Sequence, residues 1–427
     1  MKNNLHYFVR KILLLLPFFL WTCGGGGGGS DDPIDTGSSN IISQTHSIEI
    51  YDSATFDIIA SSTDGNTLSF SISSQPTYGQ ASILGNTVTY TPQGNYSGND
   101  IMQITASSST GSTIINIQLD IFNNPYKDYR LSNVQKKTVD FPFLNGTYAD
   151  YTCIWDGVER QFSVFVPNVV NPYNTNYMPV YFYYHGTHGQ SLPSNYRDRL
   201  ERLQKYGGNN FVYVRPQGLP GTEEEGNENE ILNLRGFNYL FPGWRENNDD
   251  IGFTNALINY IHDNFPISHR KIYIGGYSTG GSFVPVMGSE NELIDGVIQG
   301  AGMMHTYYTY SYEQPIKYKV WKGTNDDYHP YGYDEDYPYF WGINEALTMF
   351  AQPKSCPDPI YSNLEDTNGD GHISEKFQIE CIDGSVLQGY KLTEWGHTEA
   401  WGTDYIHISA FSDVSIFEMF GELINSN

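Results

Sequence analysis

Two periodicities divide the chain. Over residues 41–122 apolar positions alternate with polar ones: Leu68, Phe70 and Ile72 among serines, Val88 and Tyr90 among threonines, then Ile115, Ile117, Leu119 and Ile121. A period of two predicts half-buried strands, and Asp64-Gly65-Asn66 and Leu84-Gly85-Asn86 supply turns. Residues 123–140 read as a polar connector. Beyond it Gln161-Phe162-Ser163-Val164-Phe165-Val166-Pro167 alternates, and 180–184, 211–214, 271–275, 296–299, 318–321 and 386–393 are further strand candidates. Several are near-continuous apolar runs, which suit a sheet covered on both faces. Phe253, Ala256, Leu257, Tyr260 and Ile261 recur at helical spacing, as do Phe417, Phe420 and Ile424. Strands alternating with helices predict a mostly parallel, doubly wound α/β sheet over 141–427, preceded by an all-β sandwich. Its chemistry is expected in the loops at the strand C-termini.

The N-terminus adds an address. Lys2, Arg10 and Lys11 form a basic start, and the apolar run 12–21 is too short for a comfortable membrane span. Leu20-Trp21-Thr22-Cys23 is similar to a bacterial lipobox, with Trp21 bulky for its position. The expectation is a signal peptide over 1–22, lipid on Cys23 and a flexible Gly/Ser/Asp tether over 23–40. Two or three acyl chains anchor firmly, since each buried CH₂ contributes about 0.8 kcal/mol. Cys-(Gly)n-Ser-Asp-Asp resembles lipoprotein starts of the Bacteroidota, which implies anchoring in the outer membrane, periplasmic or surface-facing. The alternative is a plain secretory signal with an incidental cysteine. With 23 Lys+Arg against 48 Asp+Glu the net charge is −25. That leaves no basic footprint for phosphates and excludes nucleic acid as an expected partner.

The chemistry concentrates after strand candidate 271–275. Gly276-Tyr277-Ser278-Thr279-Gly280 lies between that strand and a segment able to begin a helix. A Gly-x-Ser-x-Gly turn in this setting is the nucleophile elbow of the α/β-hydrolases. Its glycines remove Cβ atoms that would collide as the chain reverses, and the next N–H, of Thr279, faces a developing oxyanion. The competing reading is an ordinary Gly-rich turn with an inert serine. A serine hydroxyl needs a histidine to take its proton and a carboxylate to orient it, in the chain order Ser, Asp/Glu, His. Strand candidate 318–321 ends in Lys322-Gly323-Thr324-Asn325-Asp326-Asp327, and spacing barely separates Asp326 from Asp327. Five histidines follow Ser278: His305, His329, His372, His397 and His407. His397, after Gly396 in the loop beyond strand 386–393, is the expected base. His185-Gly186-Thr187-His188-Gly189 follows strand 180–184 and is expected to aim the Thr187 N–H at the same oxyanion, with His185 supporting the loop.

As an ordered set these pieces resemble the polyhydroxybutyrate-depolymerase-like esterases, which group with feruloyl and acetyl-xylan esterases. The set runs from Arg160-Gln161-Phe162-Ser163-Val164-Phe165-Val166-Pro167 through His185-Gly186-Thr187-His188-Gly189-Gln190, Pro216-Gln217-Gly218 and Asp250-Ile251-Gly252-Phe253. It continues through Gly275 to Gly281, Gly323-Thr324-Asn325-Asp326 and Gly396-His397-Thr398. The likeness covers roughly residues 140–427. It implies Ser278 as nucleophile, Asp326 rather than Asp327 as acid, His397 as base, no cofactor for catalysis, and an ester-bearing polysaccharide or polyester as substrate. It also implies a Cys356–Cys381 disulfide, which the position of both cysteines in one irregular segment already allows. His188 and Thr187, the acidic tract 222–230 and Glu399-Ala400-Trp401 depart from the family pattern and bear on substrate identity. A non-catalytic glycan-binding protein on a hydrolase frame and a serine peptidase are the rival functions.

Other segments carry two readings each. Gln75-Pro76-Thr77-Tyr78-Gly79-Gln80-Ala81, Val88-Thr89-Tyr90-Thr91-Pro92 and Tyr96-Ser97-Gly98-Asn99-Asp100 are similar to bacterial Ig-like or cadherin-like repeats, serving adhesion or spacing. Asp366, Asn368, Asp370 and His372 stand at calcium-loop positions 1, 3, 5 and 7, but position 12 is Phe377. A structural Ca²⁺ and a solvated acidic turn are both expected outcomes there. The aromatics from Tyr307 to Trp341 read as a platform for sugar or polyester, or as loop packing. Cys153 reads as a buried free thiol.

Overall fold

The computed structural model describes residues 41–425 other than 44–45, 51–53, 64, 95, 123, 138–140, 144, 169–177, 187–195, 221–234, 238–247, 266, 307, 327–340, 367–370, 372, 395 and 397–415. The segments expected to be a signal peptide and a tether, with Cys23, therefore lie outside the described residues.

The first unit is a β-sandwich. Its strands are β1 (Ile41–Ser43), β2 (His46–Ile50), β3 (Ala54–Asp57), β4 (Ala60–Ser62), β5 (Ser69–Ser74), β6 (Gly79–Leu84), β7 (Thr87–Pro92), β8 (Gly98–Ser107) and β9 (Ser112–Ile121). They form a sheet β2-β9-β8-β5, a sheet β3-β7-β6 and the pair β1-β4. The alternation in the sequence is the reason. Val88, Tyr90, Met102, Ile104, Ile115, Ile117, Leu119 and Ile121 all point inward and are buried, and their polar neighbours face out. Asp100 is buried but structural: it accepts the N–H groups of Thr77 and Tyr78 at 2.8 and 2.7 Å.

The second unit is built on one 12-stranded sheet. Its strands are β10 (Ser132–Lys136), β11 (Phe141–Phe143), β12 (Gly146–Trp155), β13 (Val158–Pro167), β14 (Met178–Tyr184), β15 (Val212–Pro216), β18 (Ile267–Tyr277), β19 (Ile294–Gly300), β20 (Lys317–Gly323), β21 (Ile360–Asn363), β22 (Glu375–Glu380) and β23 (Val386–Leu392). A short side pair, β16 (Leu219–Pro220) and β17 (Arg235–Gly236), stands apart. The order is β10-β12-β13-β15-β14-β18-β19-β20-β23-β22-β21. Pairing is parallel from β15 through β23, and β13 runs antiparallel to β12 and β15. The exchange of β14 and β15 in the order, with the elbow at the end of the central β18, defines an α/β-hydrolase sheet.

Five helices are used below: α1 (Tyr196–Gly207), α2 (Asp250–Asn264), α3 (Thr279–Glu290), α4 (Ile343–Ala351) and α5 (Ile416–Asn425). Residues of α2, α3 and α4 fill a core on one face, with Phe253, Phe283 and Leu347 fully buried. Those of α1 and α5 fill the other, with Leu200, Phe420 and Leu423. Burying each such side chain contributes roughly 1.5–3 kcal/mol. Covering both faces explains why β14 and β15 read as continuous apolar runs.

The connector is held to the second unit. Strand β10 pairs with β12 and extends the sheet. The Asn259 amide on α2 donates to the carbonyls of Tyr126 and Tyr129 at 2.7 and 2.9 Å and accepts from Asn124 at 2.8 Å. Tyr126 donates its hydroxyl to the Glu290 carbonyl at the end of α3, 2.8 Å away. Arg270 of β18 pairs with Asp120 of β9 at 2.6 Å.

Candidate active site

Ser278 links β18 to α3 with φ 53° and ψ −120°. A non-glycine residue rarely tolerates a positive φ, and such strain collects at functional sites. The flanking glycines show how the turn is closed. A Cβ at Gly276 would lie 2.3 Å from the Gly280 carbonyl oxygen, and one at Gly280 would lie 2.2 Å from the Tyr184 carbonyl oxygen. No side chain fits either place. The Ser278 carbonyl then accepts from the Ser282 N–H at 2.8 Å and from its hydroxyl at 3.2 Å, which starts α3 beneath it.

The next strands brace the turn from the side. Ser278 donates its N–H to the Gly300 carbonyl at 3.0 Å. Ala301, itself at φ 44°, donates to Trp321 at 3.0 Å, and Thr324 donates to Leu392 at 2.9 Å. Each loop therefore leaves its strand only after one bond to the next strand. Ser278, Ala301 and the loop bearing Asp326 are staggered along one rim of the sheet.

The turn after β14 meets the elbow directly. A Cβ at Gly186 would lie 3.0 Å from the Cβ of Ser278. His185, 4 % exposed, is held as the sequence suggests, as a support. Its Nε2 receives the backbone N–H of Gly218 at 3.0 Å and the amide of Gln217 at 2.8 Å. A backbone N–H only donates, so Nε2 is unprotonated and Nδ1 carries the proton, which it gives to the Gly186 carbonyl at 2.7 Å. Gln217 was legible only as part of Pro-Gln-Gly after a strand.

Asp326, 6 % exposed, lies just past β20. Beside it in sequence Lys322 is buried, and burial pulls its ammonium from 10.5 down to about 8, with Asp326 acting in the opposite direction. The loop after β23 is bound to the Asp326 loop: Glu394 donates its N–H to Thr324 Oγ1 at 2.8 Å, and the Asn325 amide donates to Glu394 Oε2 at 2.8 Å. Gly396 is the last described residue there; His397, like Thr187 and Asp327, lies outside the described residues.

Farther out, Cys356 and Cys381 form a disulfide with Cα atoms 4.5 Å apart. Cys153 is a free, buried thiol pushed up to about 12 by burial, which keeps it protonated and inert. Asp366 accepts the Gly371 N–H at 3.0 Å, while Asn368, Asp370 and His372 lie outside the described residues. Among the described residues no three His, Cys, Asp or Glu side chains gather as a metal site. Tyr310 and Tyr312 are buried and meet Phe350 edge-on, at 6.0 and 4.7 Å between ring centroids. Their role is packing.

Strand order and elbow make the second unit an α/β-hydrolase domain. The first is similar to a known module: residues 31–119 match the family model for a bacterial Ig domain. No curated protein matches the chain by sequence. Among solved structures the chain is similar to an S-formylglutathione hydrolase from Agrobacterium tumefaciens, with 14% identity, TM-score 0.42, and 69% of this chain and 100% of that one covered. It is similar to a glucuronoyl esterase from Solibacter usitatus, with 11% identity, TM-score 0.39, and coverage of 70% and 87%. It is also similar to acetyl xylan esterase 1 from Thermoanaerobacterium sp. JW/SL YS485, with 13% identity, TM-score 0.32, and coverage of 47% and 75%.

Proposed function

We propose that the chain is a serine esterase that cleaves carboxylic esters through an acyl-enzyme. The observation that carries this reading is Ser278, strained at φ 53° at the start of α3 with Gly186 packed against it. In the proposed mechanism Ser278 Oγ attacks the ester carbonyl while His397 takes its proton. The N–H groups of Thr187 and Thr279 receive the oxyanion, and Asp326 orients the histidine and stabilises its cation. The alcohol leaves with the proton from His397. Water, deprotonated by the same imidazole, then attacks the acyl carbon and restores Ser278.

The substrates within this proposal are feruloyl or acetyl esters of polysaccharide and aliphatic polyester, reached by an enzyme lipid-anchored through Cys23 outside the cytoplasm. A calcium ion in the loop beginning at Asp366 belongs to the proposal as a brace and takes no part in the chemistry. A fluorophosphonate probe tests the function. It should label Ser278 in the folded protein, and Ser278→Ala should lower kcat on p-nitrophenyl acetate by about 10⁶. A folded protein that takes no label points instead to a binding protein on a hydrolase frame.

A further inference from the structure

Glu394 combines two features that rarely coincide on an exposed loop residue. Its backbone stands at φ 65°, a left-handed conformation that glycine or asparagine adopts far more readily. It also makes three contacts with the loop after β20. Its N–H donates to Thr324 Oγ1 at 2.8 Å. Its carboxylate accepts from Asn325 Nδ2 at 2.8 Å, and its carbonyl lies 3.4 Å from the same nitrogen.

Below this point β20 and β23 pair in parallel up to Gly323 and Leu392, and the Thr324 N–H adds one more bond to the Leu392 carbonyl at 2.9 Å. The ladder proper ends there. Two parallel strands would then release their loops independently, and Asp326 sits on one while Gly396 and His397 follow on the other. The Thr324–Asn325–Glu394 bonds continue the registration into the loops. From the opposite side Thr393 donates its hydroxyl to the Ile373 carbonyl at 2.8 Å, so the segment is held at both flanks. Strain kept at an exposed residue that helical propensity, burial and packing do not require calls for a reason local to it. Asn325 lies next to the acid and Glu394 lies shortly before the base. Among the described residues the pair joins the bases of those two loops.

We propose that Glu394 and Asn325 are positioning residues, a clasp that fixes the loop carrying His397 in register with the loop carrying Asp326. The proposal rests on the serine-esterase reading. The clasp touches no substrate. Its loss unties the bases of the two loops from each other, and small misplacements of catalytic groups lower turnover by roughly 10- to 100-fold without removing substrate binding.

Steady-state kinetics on p-nitrophenyl acetate with the full chain test it, alongside thermal unfolding. Glu394→Ala and Asn325→Ala should each lower kcat at least tenfold with KM within about twofold. Glu394→Gln keeps an oxygen acceptor for Asn325 and should retain most of kcat. Glu394→Gly separates positioning from stability: it relieves the left-handed strain, so its Tm should match or exceed that of the wild type while kcat falls as in the alanine variant. A wild-type kcat in folded Glu394→Ala, Asn325→Ala or Glu394→Gly overturns the clasp alone. A wild type that turns over no ester and takes no fluorophosphonate label overturns the esterase reading and the clasp with it.

Discussion

His185 Nε2 and Gln217 Nε2 lie 2.8 Å apart, joining the turn after β14 to the turn after β15 with both side chains buried. The imidazole also holds the Gly218 N–H at 3.0 Å and, through Nδ1, the carbonyl of Gly186. Gly186 in turn packs on Ser278, so His185 sets where the proposed oxyanion turn stands. His185→Ala should leave the Gly218 N–H buried and unanswered, at about 1–3 kcal/mol, and should displace an oxyanion donor, at roughly 10²–10³ in kcat. Gln217→Ala leaves the Gly218 bond in place and should cost much less on both measures. Equal, small losses of kcat in the two variants would mean that His185 does not hold the turn.

Gly280 should be the least replaceable residue of the elbow. A methyl group there meets the carbonyl oxygens of Tyr184 and His185 at 2.2 and 2.6 Å, and both belong to the backbone of a buried strand end. Nothing flexible can yield, so Gly280→Ala should cost at least 3 kcal/mol or prevent folding, at or beyond the upper end for overpacking. Gly111→Ala is the control, because a Cβ there meets nothing within 4 Å. Its stability should stay within about 0.5 kcal/mol of wild type. Urea denaturation of the two variants makes the comparison.

The residues that were legible in the sequence are those whose role is local. Gly276, Ser278 and Gly280 announce an elbow because the steric problem is solved within five positions. Strands β14, β15 and β18 announce themselves because burial on both faces demands unbroken apolar runs. Whatever depends on distant segments meeting was hidden. Nothing near Asn259 says that it grips a connector from Asn124 to Tyr129, and nothing in Lys-Gly-Thr-Asn-Asp says that Lys322 is buried. Tyr310 and Tyr312 could be read as a ligand platform or as packing. Only the arrival of Phe350 from α4 decides for packing.

Arg160 and Asp250 give a prediction about stability alone. Both side chains are 1% exposed, and the pair links β13 to the first turn of α2. The guanidinium also lies 4.0 Å above the Phe253 ring. Removing one partner strands the other charge in the core, so Arg160→Met should destabilise by about 3–5 kcal/mol. Arg160→Met with Asp250→Leu removes both charges and should recover most of that loss. A double variant no more stable than the single one would show that the bonds themselves, and not the avoided lone charge, matter here.

Lys322 should leave a mark on the pH dependence of folding. Burial lowers its ammonium from 10.5 to about 8 in the native state. Between those two values the unfolded chain holds a proton that the native chain has lost, so stability rises with pH across the window. Below it both states are protonated and the contribution is flat, with the buried charge costing the fold about 3 kcal/mol. Lys322→Met carries no such charge. It should be more stable than wild type at pH 7 by up to that amount, and the gap should close as pH approaches 10.5. Other lysines that titrate on folding, Lys317 and Lys319 among them, are common to both proteins and cancel in the difference. Urea denaturation at pH 7, 8.5 and 10 measures it. A constant gap would mean that Lys322 reaches solvent in the native state.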